Sequence, residues 1–309
     1  MHKLHIIIMK AAVLALALSL TPVAAEAWAP RPMPSLHKSA PMRAEAAVAV
    51  SGGSDARAGP AGVYDAAVTL GAGKAATPIS KLIPLSFLSG AHIALGAMLA
   101  VSVGGSVPGI KAANPGVQRA LLGVMGLPMG LLMVLGAGGE LVTGNMAVCT
   151  AAYKAGKASL SDLCRNLGTV YLGNFVGSLA VAALGAWAST GVTGGAIAVA
   201  TGKVSGTFGA AFARGVLCNW LVCMAVWMAT SQKDLISKAA AVFFPISGFV
   251  AMGLDHSVAN MFLIPFGIFC GAEITWADMV MKNLVPVTLG NLVGGAVFVA
   301  AAYHSAYGK

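Results

Sequence analysis

The chain has 309 residues, of which 58% are hydrophobic and only 9% charged, against roughly 25% charged residues in soluble domains. Mean hydropathy is +0.83, and several apolar runs reach the ~20 residues that cross a bilayer core. These values exclude an ordinary soluble enzyme or binding domain and predict one polytopic all-α membrane domain. The net charge of +9 does not point to nucleic acid. Lys3, Lys10, Arg31, Lys38, Arg43 and Arg57 precede the apolar region, and the other basic residues stand mostly singly between apolar runs, with no basic stripe on a polar face.

The chain begins as an address. Lys3 and Lys10 precede the short apolar stretch AAVLALALSL, and Ala25 and Ala27 fit an A-x-A cleavage pattern. Residues 1–27 are therefore predicted to be a signal peptide. Residues 28–70 are rich in Ala, Pro, Ser and basic residues and resemble a transit peptide. With Trp28 at the new N-terminus, the junction AEAWAP resembles the bipartite presequence of proteins sent to complex plastids. A plain secretory signal followed by a linker, leading to the plasma membrane, is the alternative. The membrane domain is placed at 71–309.

Six spans are predicted from there. The first is 82–104. The second starts at 119–138 and is interrupted by GELVTG. The third and fourth are near 166–188 and 208–230. The fifth runs from 239 to 253, breaks at LDHS and resumes to about 270. The sixth is near 283–303. NLGTVYLGNFVG (166–177) and NLVPVTLGNLVG (283–294) match at an offset of 117, and the breaks match as GNM (144–146) and ANM (259–261). The domain thus reads as a duplication, about 75–190 and 191–307. Three spans per copy invert the second copy, and inverted repeats with one interrupted helix each mark transporters and channels.

Polar groups at membrane depth are costly and so are functional candidates. Glu140 and Asp255 lie one at each break, where a carboxylate can cap the orphan N–H groups of a new helix. Asn145 and Asn260 are assigned to support of the same breaks. His256 lies beside Asp255 and titrates nearest neutral pH, so it is read as the pore group that handles a proton. Thr143 offers a hydroxyl at the other break. Helix N-termini from both breaks would favour an anion. Asn174 and Asn291 recur at equivalent positions and are read as inter-helix or loop-fixing groups. His92 is read as a packed histidine bonded to a neighbour. Cys149, Cys164, Cys218, Cys223 and Cys270 form no CxxC pair and are read as small buried hydrophobes. No cofactor or metal is implied.

GELVTGNM, RGVLCNWLVCMAVWMA, GLDHSVANMFLIPFG and NLVPVTLGNLVGG, taken in order, resemble the motifs of the formate/nitrite transporter family. The resemblance covers about 75–305. It implies an aquaporin-like protomer, a homopentamer with one pore per protomer, and passage of small monovalent weak-acid anions, as a channel or with a proton. It also implies that His256 is the central pore histidine and that Thr143 is the threonine of the first break. By the same resemblance Leu131, Leu141 and Phe249 are the apolar constrictions, Asn219 is a pore asparagine and Lys203 is a vestibule lysine that attracts the anion. Asp255 stands where the family commonly has glutamate. Nitrite follows from a plastid address, with formate or hydrosulfide as alternatives. An aquaporin-type channel would carry paired Asn-Pro-Ala motifs, which this chain lacks, and an ammonium channel would carry paired pore histidines in equivalent helices. An intramembrane enzyme using His256 or His92 with Ser247 or Ser89 is the rival of another class.

Overall fold

The computed structural model describes residues 59–308, all of whose regular elements are helical. The signal peptide and the transit-like segment up to residue 58 lie outside the described residues. The last part of that segment is helical. Helix α1, Pro60–Ala75, opens with proline in its first turn and buries Tyr64 and Ala67 in the core, so the fold starts about ten residues before the expected boundary.

After α1 come α2 (Ile79–Gly105), α3 (Pro108–Ala113), α4 (Pro115–Val124) and α5 (Leu127–Ala137). Then follow α6 (Val142–Lys154), α7 (Leu160–Trp187), α8 (Thr193–Val204) and α9 (Phe208–Ala229). The chain ends with α10 (Leu235–Ala251), α11 (Ser257–Phe269) and α12 (Trp276–Tyr307). Polar side chains cap several of the helices. Ser159 and Asp162 form a capping box on α7, as do Thr275 and Asp278 on α12, while Thr207 and Asp234 cap α9 and α10.

Five stretches are long and apolar enough to cross a membrane: α2, α4 with α5, α7, α9 and α12. Helices α10 and α11 are apolar but shorter. Leu172, Ile236 and Phe244 are among many large apolar side chains exposed on the outer surface, a pattern suited to a hydrocarbon surround rather than to water.

Two helix pairs carry the scaffold, α2 with α7 and α9 with α12. Both crossings are lined by glycine. Gly173 and Gly177 of α7 lie against Ser86 and Phe87 of α2, and Gly290 and Gly294 of α12 lie against Phe212 and Val216 of α9. A Cβ at Gly177, Gly290 or Gly294 would strike a backbone carbonyl of the partner helix. Such small-xxx-small spacing lets backbones approach where no hydrophobic drive separates helix from lipid. Gly177→Val is expected to destabilise the protein by about 1–3 kcal/mol through overpacking, measured as a lower apparent melting temperature in detergent. The same change at Gly168, which has open space around it, should have little effect.

Candidate functional site

Each copy stops a helix inside the bundle and starts another a few residues later. Gly138 and Gly253 close α5 and α10 with positive φ of 85° and 73°, a conformation open to glycine at little cost. The chain then runs extended through Leu141 and through His256, which are the N-cap residues of α6 and α11.

The first N–H of each new helix is capped by an amide, not by the carboxylates that the sequence suggested, and His256 itself caps a further N–H of α11. Val142 N–H donates to Asn174 Oδ1 and Ser257 N–H donates to Asn291 Oδ1, each at 2.9 Å. The Nδ2 groups of the two asparagines bind Glu140 O and Asp255 O, and also Ser86 O and Gly215 O. Every buried backbone group satisfied in this way avoids the cost of an unmade bond. Asn174 and Asn291 therefore do the loop-fixing expected of them.

Glu140 and Asp255 serve the breaks differently. Glu140 accepts from Lys74 Nζ (2.9 Å) and Asn145 Nδ2 (2.7 Å). Asp255 accepts from Lys203 Nζ (2.8 Å), Arg214 Nε (2.6 Å) and Asn260 Nδ2 (3.0 Å). Asn145 and Asn260 continue to Asn166 and Asn283, whose own amides return to Lys74 O and Lys203 O. The two clusters are near copies of one another. Sequence reading missed Lys74, Arg214, Asn166 and Asn283. Lys74 and Lys203 lie 129 apart and the asparagines 117 apart, so a single offset hides the lysines.

His256 is fixed at both nitrogens. Nδ1 accepts from Ala259 N–H (3.1 Å), and Nε2 lies 2.8 Å from Thr143 Oγ1. An accepting Nδ1 assigns the proton to Nε2, which donates to Thr143 and leaves the hydroxyl proton of Thr143 available. The carbonyl of Thr143 is held by Asn219 Nδ2 and Cys223 Sγ. Asn219 also binds Asn291 O and is fully buried. It positions Thr143, and neither of the two residues lines the cavities described below.

A small cavity of about 10 Å3, called the neck below, is lined by Leu131, Leu141, Phe249, His256, Val222 and Ile246, with Ile93 and Leu127. The ring of Phe249 lies 5.9 Å from that of His256. All three expected constriction residues thus meet at the histidine. A vestibule of about 300 Å3 adjoins it, lined by Lys111, Gln118, Arg119, Lys203, Arg214 and Asp255, with His256 in its wall. A separate cavity of about 460 Å3 is lined in part by Lys74, Glu140, Val134, Val226 and Lys238. Lys203 lines the vestibule as expected, but its amine is bound to Leu254 O and Asp255 and is not free for an anion.

A profile of the family described as "Formate/nitrite transporter" matches residues 61–305. The chain belongs to the formate/nitrite transporter family. A probable formate transporter from Methanothermobacter thermautotrophicus is 44% identical over 256 residues, covering 76% of this chain and 92% of that protein. The nitrite transporter NirC of Escherichia coli is 34% identical over 229 residues, covering 72% and 82%. A solved pentameric formate channel with formate bound superposes with a TM-score of 0.67 at 33% identity, covering 75% of this chain and 98% of that one. The family is one of membrane transporters and not of enzymes. Ser89 Oγ and Ser247 Oγ are buried without a hydrogen-bond partner. His92 Nδ1 likewise lacks a partner, against expectation, and Cys164 is exposed rather than buried.

The Lys74–Glu140 pair is largely buried, with side chains 15% and 5% exposed. Lys74→Met is expected to cost about 3–5 kcal/mol, because it strands the carboxylate. Adding Glu140→Gln should recover much of the loss in apparent melting temperature.

Proposed function

We propose that the chain carries small monovalent weak-acid anions of the nitrite and formate type through a pore in each protomer. The feature that carries this reading is the hydrogen bond between His256 Nε2 and Thr143 Oγ1, with His256 in the wall of both a small apolar cavity and a cation-lined vestibule. A bare anion in an apolar neck loses its hydration at a cost of several kcal/mol. The same species sharing a proton is nearly neutral and crosses more easily. The Thr143 hydroxyl supplies a hydrogen bond to the anion, and His256 backs it with its own N–H. Full protonation of His256 would displace the Ala259 amide from Nδ1, so the proton is shared along the chain of hydrogen bonds rather than stored on the ring.

In this reading α4–α6 form one interrupted crossing and α10–α11 another. They give six crossings in two inverted copies, and the protomers assemble as a homopentamer. Resemblance to a solved pentameric channel and the apolar outer surface support the assembly. A complex-plastid address makes nitrite the cargo in a plastid envelope. The 44% identity to a probable formate transporter favours formate as the second reading.

The test is uptake of nitrite and of formate into proteoliposomes holding the full chain, with and without an inward proton gradient. Both anions are expected to enter, faster with the gradient. His256→Asn, which keeps a donor but cannot titrate, should flatten the response to pH. Wild-type behaviour of His256→Asn and His256→Ala at every pH would remove the histidine from the mechanism.

A further inference from the structure

The two copies differ at one charged position beside the breaks. Glu140 N–H donates to Leu85 O and Asp255 N–H donates to Arg214 O, so Leu85 and Arg214 are equivalent places in the two repeats. The first copy puts an aliphatic side chain there and the second a guanidinium. Nothing in the repeat requires this, because Asp255 already has Lys203 as the counterpart of the Lys74–Glu140 pair.

We propose that Arg214 is the residue that recognises the shape of the anion, binding planar two-oxygen anions in the vestibule through its free Nη1 and Nη2 edge. Asp255 takes only Nε, at 2.6 Å, which fixes the plane of the guanidinium. Among the described residues no acceptor bonds Nη1 or Nη2. That end of the side chain lies over Gly206, where a Cβ would come 2.7 Å from Nη2. The missing side chain at Gly206 therefore makes the room in which the fork sits. Arg214 lines the same vestibule as His256.

The other cations of the vestibule offer less. Lys203 is already bound by Asp255 and Leu254 O, while Lys111 and Arg119 are exposed at the rim and supply attraction without orientation. A guanidinium edge presents two parallel N–H groups that match two oxygens on one planar centre. Formate and nitrite both have that form. A monatomic anion meets the fork at one point only. The copy with Leu85 has no such fork, so shape is read at one mouth of the pore and not at the other.

This inference rests on the anion-carrying function proposed above, and its test separates the two. Full-length wild type, Arg214→Lys and Gly206→Ala are compared in proteoliposomes for the KM of formate and of nitrite and for the inhibition constant of chloride. Arg214→Lys keeps the charge and a partner for Asp255 but loses the fork. Gly206→Ala keeps the arginine and displaces its tip. Both variants are expected to raise KM for formate and nitrite about fivefold to tenfold, the scale of one charge-assisted contact. Chloride inhibition should change by less than about twofold, since charge is unchanged. Chloride and planar anions weakened by the same factor would reduce Arg214 to a support for Asp255 and overturn the proposal, as would an unchanged KM in both variants. Wild type that carries neither anion would sink the proposed function instead. Formate titration of the solubilised protein by calorimetry would then still read the fork, through weaker binding in both variants or its absence.

Discussion

A helix that ends inside a bilayer exposes backbone donors and acceptors where no water can reach them. The amide side chains of Asn174 and Asn291 solve that problem at both breaks of this chain. Each offers one acceptor to the first N–H of a new helix and two donors to carbonyls of the surrounding chain. An amide suits the task better than a carboxylate, which has only acceptors. With the breaks closed in this way, the carboxylates of Glu140 and Asp255 are left to tie lysines from α1 and α8 to the same loops. The unwound backbone is thus anchored from three helices at once, and the side chains it presents to the neck are held in place.

The same frame occurs twice at matching positions, and the polar contact at the neck lies where the two differ. Gly138 and Gly253, Val142 and Ser257, Asn145 and Asn260 fill matching positions with matching backbone duties. Leu141 and His256 are also matched, both being N-cap residues in the neck, yet one is aliphatic and the other titratable. Thr143 answers to Val258 in the same register. The hydroxyl of one copy meets the imidazole of the other, so the polar pair at the neck spans the repeat axis and neither copy could form it alone.

Much of this was legible in the sequence because membrane chains spend polar residues sparingly. The apolar runs located the long helices to within about seven residues at each end, and the repeated Leu-Gly-Asn falls where α7 and α12 pack on their partners. The family motifs brought Leu131, Leu141, Phe249 and His256 to one place. Other features were hidden for physical reasons. Lys74 stood out only as one of the single basic residues between apolar runs, because its partner is 66 residues away and its counterpart Lys203 follows a different offset. Resemblance to the family motif assigns Asn219 to the pore, whereas its amide donors are taken by the carbonyls of Thr143 and Asn291. Helix α1 was masked by a composition that resembles a presequence. It is held by burial of Tyr64 and Ala67 and by close approach of Gly71 to Val148, which no local pattern reveals.

The neck has a further consequence for the membrane around it. At about 10 Å3 it is near the lower limit for holding even one water molecule, and its wall is aliphatic and aromatic except at His256. On the anion path proposed above, so small a space would interrupt a continuous file of water, the usual conductor of stray protons. A membrane carrying many copies would then keep its ion gradients standing while passing a small acid.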